Sequence, residues 1–287
     1  MNHVIVLAGG EGRRLEPQAR ARYGYARPKQ YCDFGDGVTL LDRTLARARR
    51  LVTPDRIVVV TTAGHREEAD ECLARWPGVR RLEQPRNRDT LPGLALPILS
   101  ILDRDPSARV VVLPSDHSIA DEHGFTQCLA RIVATLSDYP FDLLLLGAQV
   151  ETPEDGYGWI LPSHCAGRWP GVAGFREKPP AEELPHLISR GALANTFVMA
   201  GDAWSFAQVI LRHAPTWFSS ILSALHDSER LRQVYDALPS VNFSEGLHAA
   251  RADLRVVPMP AVGWSDVGTP ERLQRSMRSY VEQAEVA

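Results

Sequence analysis

A chain of 287 residues, 44% of them hydrophobic, is long enough for one large domain or two fused lobes around a continuous core. Its 32 basic and 35 acidic residues leave a formal charge of −3, which carries no electrostatic footprint for nucleic acid or an anionic membrane and points to a small ligand. No stretch approaches the ~18 consecutive apolar residues of a membrane span, and no basic region precedes the short apolar run at the amino terminus, so a cytoplasmic protein is expected.

In chain order, the β-branched runs Val4 to Ala8, Arg56 to Thr61 and Arg109 to Leu113 are too short for helices and predict buried parallel strands. Between them, Leu40, Leu41, Thr44, Leu45 and Ala48 recur at helical spacing, and Leu91 to Leu102 forms a helix-length apolar segment despite Pro92 and Pro97. This alternation predicts an α/β fold with a doubly wound, mostly parallel, Rossmann-like sheet. Phe141 to Val150 reads as a further interior strand, after which the texture changes. Gly156 to Leu161, Gly171 to Glu177 and Asn195 to Ala200 are shorter, Gly- and Pro-punctuated segments, as expected of a smaller mixed α+β subdomain. A boundary is placed near Glu151, dividing the chain into 1–150 and 151–287. Helical patterns follow over Trp204 to His213 and Trp217 to Tyr235, then a strand over Leu254 to Met259 and a closing helix opened by Pro270. The cysteines at 32, 72, 128 and 165 form no CxxC pair and join no zinc-spaced histidines, so reduced, mostly buried thiols are expected.

The stretch from Leu7 to Tyr31 carries the chemistry. Gly9, Gly10 and Gly12 directly follow the first strand, where exposed backbone N–H groups and a helix amino terminus attract anions. Leu15 stands where the dinucleotide fingerprint needs its third glycine, and the Gly-Lys-Ser/Thr of a P-loop is absent. What remains is Gly9-Gly10-x-Gly12-x-Arg14-Leu15-x-Pro17, followed by Pro28-Lys29-Gln30.

With these motifs the sequence resembles the sugar-phosphate nucleotidyltransferases, most closely the mannose-1-phosphate guanylyltransferase (GDP-mannose pyrophosphorylase) family. Further matching segments follow in order: "EQPRNRDTLPGLALP", "VVVLPSDHSI", "EDGYGWI", "GFREKP", "ANTFVM" and "GWSDVGTPERL". The resemblance ends with the last motif, so no cupin or β-helix domain of the kind carried by some relatives is expected.

The resemblance implies that a sugar 1-phosphate oxygen attacks the α-phosphorus of a nucleoside triphosphate and pyrophosphate leaves. GTP and mannose 1-phosphate are the favoured pair, another sugar 1-phosphate with UTP, dTTP or CTP the alternative, and a non-catalytic binding homologue the rival from a different class. A homo-oligomer is compatible with the sequence. Such chemistry must gather several negative charges in line, which calls for cations and oriented N–H groups. By resemblance, the nucleotide is held by Leu7, Ala8, Gly9, Gly10, Glu11, Gly12 and Arg13, with Asn87, Thr90 and Pro114. Arg14 would hold the β- and γ-phosphates and Lys29 the α-phosphate, where charge develops. Asp116, past the carboxyl end of a central strand, and Asp266 would hold Mg²⁺, which prefers oxygen ligands. Gly158, Glu177, Lys178 and Asn195 would take the sugar phosphate. Arg14, Lys29 and Asp116 are thus the expected catalytic set.

The sequence departs from the family pattern in several places. Arg13 stands where threonine is common, Asp89 and Leu91 replace small residues, Asn242 stands where an acidic residue is found, and Ala194 replaces the tryptophan that often precedes the asparagine at 195. His117 is given no role. The arginines at 20, 22 and 27 read as a solvated loop.

Overall fold

The computed structural model describes residues 1–150, 156–163, 168–249 and 253–286. In chain order it contains β1 (Asn2–Leu7), α1 (Glu16–Tyr23), α2 (Leu40–Arg49), β2 (Ile57–Thr62), α3 (Arg66–Leu73), β3 (Arg80–Gln84), α4 (Thr90–Leu102), β4 (Arg109–Pro114), α5 (Glu122–Thr135) and β5 (Leu143–Ala148). There follow β6 (Gly158–Pro162), β7 (Val172–Glu177), α6 (Leu184–Ser189), β8 (Leu193–Asp202), α7 (Ala203–His213), α8 (Pro215–Ala224), α9 (Ser228–Ala237), α10 (Phe243–Ala249), β9 (Leu254–Met259) and α11 (Pro270–Val286).

The strands of the described residues form one sheet in the order β3-β2-β1-β4-β8-β5-β9, with β6 joined to β8 and β7 to β6. β1, β2, β3 and β4 run parallel, as do β5 and β9. The apolar runs of β1, β2, β4 and β5 are continuous because both faces of these strands are covered. Val4 and Val6 pack with Leu41 and Leu45 of α2 and Ile132 of α5, whereas Ile5 between them packs with Leu94 and Ile98 of α4. Burying a side chain of this size contributes about 2 kcal/mol.

The expected α/β class is what the structure shows. One strand has a role that the sequence did not reveal: β8 runs antiparallel between β4 and β5 and also pairs with β6. It belongs to the main sheet and to the β6–β7 hairpin at once. The boundary near Glu151 and the thiol of Cys165 lie outside the described residues; Cys32, Cys72 and Cys128 are buried free thiols.

Two local expectations are corrected. The helical pattern from Trp217 to Tyr235 is two helices, α8 and α9, because the Asp227 side chain accepts from the Arg230 N–H and starts a new helix. The arginines at 20 and 22 lie on α1, paired with Glu16 and Asp33, and Arg27 is no surface residue. Only 7% exposed, it donates to the Tyr31 carbonyl at 2.8 Å, pairs with Glu71 at 2.8 Å and lies 4.9 Å from the Tyr23 ring centroid.

Candidate active site

The strand order reverses at β1, with β2 on one side and β4 on the other, and ligands of open α/β sheets bind in the crevice outside such a switch point. Here the crevice has a volume of about 690 Å³. The loop after β1 forms one wall and the end of β4 another. Of the residues expected at the nucleotide, Leu7, Gly9, Gly10, Glu11, Gly12, Arg13, Arg14, Lys29, Asn87, Thr90, Pro114 and Asp116 all line it. Ala8 does not. It is fully buried, and its carbonyl accepts from Gln30 Nε2 and the Tyr31 hydroxyl, which anchors the loop from behind.

The loop has little freedom. Gly12 has φ +63°, and a Cβ there would lie 2.7 Å from the backbone nitrogen of Lys29, so only glycine lets the two segments approach. Gln30 Nε2 also donates to the Gly10 carbonyl at 2.7 Å. Arg13 is exposed and pairs with Glu11, while Arg14 lines the crevice. Lys29 is nearly buried. Its Nζ lies 3.0 Å from Asp116 Oδ2 and donates to the Asp266 carbonyl at 2.7 Å, joining three parts of the sequence.

The second aspartate stands in a tight turn of its own. Asp266 Oδ1 accepts from the Gly268 N–H at 2.9 Å and from Arg272 Nη1 at 2.7 Å, and its Oδ2 faces Arg14 Nη2 at 3.9 Å. Burial, the largest single influence, opposes ionisation of Asp116, but the Lys29 ammonium together with His117 and a backbone hydrogen bond holds the carboxyl below its usual range. Burial pushes the neighbouring His117 down to about 4, so the imidazole is neutral at pH 7. Trp264 Nε1 donates to His117 Nδ1 at 3.2 Å, leaving the proton on Nε2, 3.9 Å from Asp116 Oδ1.

Among the described residues no group of three or more His, Cys, Asp and Glu side chains could cage a metal alone. Asp116, which lines the crevice, and Asp266, which does not but whose carbonyl meets the same Lys29, are nevertheless suitable in kind for magnesium. That ion takes one or two carboxylates and fills its other positions with phosphate oxygens and water.

The expected sugar-side residues form a second group. Glu177 is the cross-strand partner of Gly158, and a Cβ on Gly158 would meet Glu177 Oε2 at 2.6 Å and Asn195 Cβ at 3.9 Å. Lys178 Nζ lies 3.1 Å from Glu177 Oε1, and both side chains are largely exposed. An irregularity in the β5–β8 pairing connects the two groups: the register shifts after Asn195, and Phe197, at φ +56°, lines the crevice while Asn195 Oδ1 accepts its N–H. Ala194 is fully buried, with the buried Trp159 of β6 as its cross-strand partner.

Sequence reasoning missed three residues. Gln84 is 3% exposed, lines the crevice and has a buried Oε1 with no hydrogen-bond partner. Arg272 holds Asp266, and Gln30 ties down the glycine loop. All three lie in quoted segments, Gln84 in "EQPRNRDTLPGLALP", Arg272 in "GWSDVGTPERL" and Gln30 beside Lys29, but none was given a role from its residue type.

The nucleotidyl transferase family matches residues 3–283, and the chain belongs to it. The expected family and the α/β fold are borne out together. The chain is 28% identical over 284 residues to a mannose-1-phosphate guanylyltransferase of Escherichia coli K12, covering 93% of this chain and 58% of that one. It is 30% identical over 284 residues to the alginate biosynthesis protein AlgA of Pseudomonas syringae pv. tomato, covering 92% and 56%. It thus spans little more than half the length of these curated relatives. A solved structure from Thermus thermophilus, described as a mannose-1-phosphate geranyltransferase, superposes with a TM-score of 0.83 at 29% identity, covering 96% of this chain and 79% of that one.

Proposed function

We propose that the protein is a sugar-phosphate nucleotidyltransferase that converts mannose 1-phosphate and GTP to GDP-mannose and pyrophosphate in the cytoplasm. The observation that carries this reading is the convergence of Lys29, Arg14 and the glycine loop on one crevice beside two aspartates. A sugar-phosphate oxygen forms a bond to the α-phosphorus, the bond from that phosphorus to the α,β-bridging oxygen breaks, and pyrophosphate leaves with the electron pair.

Lys29 acts at the α-phosphate, where negative charge develops, and Arg14 at the β- and γ-phosphates. Glu177 and Asn195 bind sugar hydroxyls, Lys178 binds the sugar phosphate, and Gly158 lets the backbone approach the ring. No general base is needed, because a phosphate monoester with a second pKa of about 6 is already largely dianionic at neutral pH. The neutral, hydrogen-bonded His117 is in keeping with that. Asp116 and Asp266 would hold Mg²⁺, which when bound offsets the charge of the phosphates. Gln84, with its unpartnered Oε1, is suited to pair with a base edge. The preference for guanine and mannose is drawn from the name of the E. coli relative.

The test is pyrophosphate release with Mg²⁺ across a panel of nucleoside triphosphates and sugar 1-phosphates. GTP with mannose 1-phosphate should react fastest. A faster pair would correct the base or sugar, and no release from any pair would overturn the reaction.

A further inference from the structure

We propose that Arg272 is a positioning residue that orients Asp266 and couples it to the sugar-phosphate strand, so that binding of the second substrate is felt at the nucleotide. This rests on the nucleotidyl-transfer reading above. Arg272 enters from the first turn of α11 and its side chain is 3% exposed. Nη1 donates to Asp266 Oδ1 at 2.7 Å, and the guanidinium carbon lies 4.0 Å from the Tyr157 ring centroid.

Oδ1 already accepts from the Gly268 N–H, so the turn alone holds that oxygen. A second donor on the same oxygen fixes the carboxylate's rotation, leaving Oδ2 facing Arg14, which lines the crevice. A buried charge pair costs desolvation that a well-packed apolar residue would avoid, so stability alone does not call for arginine here.

The other face of the guanidinium explains the coupling. The Tyr157 carbonyl accepts from the Lys178 N–H at 3.2 Å, and the Tyr157 ring centroid lies 5.2 Å from that of Trp264. Trp264 in turn donates to His117, next to Asp116. Tyr157 therefore links the proposed sugar-phosphate lysine to Asp266 through Arg272 and to Asp116 through Trp264 and His117. Ordering of Lys178 by a sugar phosphate would steady both aspartates.

The experiment uses the whole chain as wild type, Arg272→Met, Arg272→Lys and Tyr157→Leu. It measures steady-state rates, thermal unfolding, and calorimetric binding of α,β-methylene-GTP with Mg²⁺, with and without mannose 1-phosphate. In the wild type, mannose 1-phosphate should tighten binding of the analogue. Arg272→Met should lower kcat by about tenfold to a hundredfold, the scale of losing one charged hydrogen bond, with the nucleotide KM within about threefold. Both Arg272→Met and Tyr157→Leu should abolish the tightening, and Arg272→Lys should recover kcat more than it recovers the tightening. Undiminished tightening in Tyr157→Leu, its absence in the wild type, or a kcat loss in Arg272→Met that only parallels lost thermal stability would overturn the proposal. If Arg272→Met does not fold, Arg272→Lys and Tyr157→Leu decide it. Absence of pyrophosphate release from every wild-type pair would strike the reaction itself and is read separately.

Discussion

The proposed nucleotide side and the proposed sugar side of the site are held by different means. Around the crevice, Lys29 is tied at once to Asp116 and to the Asp266 carbonyl, and the glycine loop is pinned from behind by Gln30 and Tyr31. On the β6–β7 hairpin, Glu177 and Lys178 have side chains 65% and 61% exposed and pair with each other at 3.1 Å. An exposed pair of this kind contributes about 0–1 kcal/mol, so exchanging it for a sugar phosphate costs little. On the proposed reading, the half where charge develops is organised before substrate arrives, and the other half can be organised by substrate.

The largest expected effect comes from the two aspartates. Asp116→Asn and Asp266→Asn should each lower turnover by about a thousandfold, since a neutral amide cannot hold the ion that offsets the phosphate charge. The double variant should be hardly worse than either single one, because ligands of one ion act as a unit. Additive losses in initial rates would separate the two residues. Next, Lys29→Ala should reduce kcat by about a hundredfold or more, and near-normal turnover would remove Lys29 from the mechanism.

On the open side, Lys178→Ala should raise the KM for the sugar phosphate by about tenfold while leaving the nucleotide KM nearly unchanged. Equal shifts in both would dissolve the comparison between the halves. The smallest effect belongs to the far end of the sheet, where Asp105 accepts from Ser107 and pairs with the terminal amine. The Ser107 hydrogen bond, with the amine beside it, lowers this carboxyl to about 2 from an ordinary 3.8. Its contribution is therefore complete above about pH 3.8 and is lost as pH falls toward 2. Asp105→Asn should cost about 1 kcal/mol at neutral pH, flatten that acid dependence in thermal unfolding and leave kcat alone.

Sequence legibility followed the same division. β1, β2 and β4 were readable because burial on both faces leaves unbroken apolar runs, and Arg14, Lys29 and Asp116 because each lies in a contiguous motif. β3 went unread: Arg80-Arg81-Leu82-Glu83-Gln84 is a half-buried edge strand with no alternation to detect. The place of β8 depends on register with strands far away in the chain, which no local pattern encodes. Arg27 looks like a surface charge in sequence, and its ion-pair partner Glu71 is far along the chain, whereas Arg272 lies close to Asp266 inside the quoted "GWSDVGTPERL" segment, where nothing in the residue type alone marks the contact. The break between α8 and α9 did carry a signal, the capping Asp227, within a longer helical periodicity that masked it.

The central claim is a single in-line displacement at the α-phosphorus, with no covalent intermediate on the protein. Its most direct test uses one diastereomer of the α-thio nucleoside triphosphate, with the configuration of the α-thio nucleotide sugar read by phosphorus NMR. A single displacement predicts inversion at phosphorus. Retention would require two successive displacements through a nucleotidylated side chain and would contradict the account.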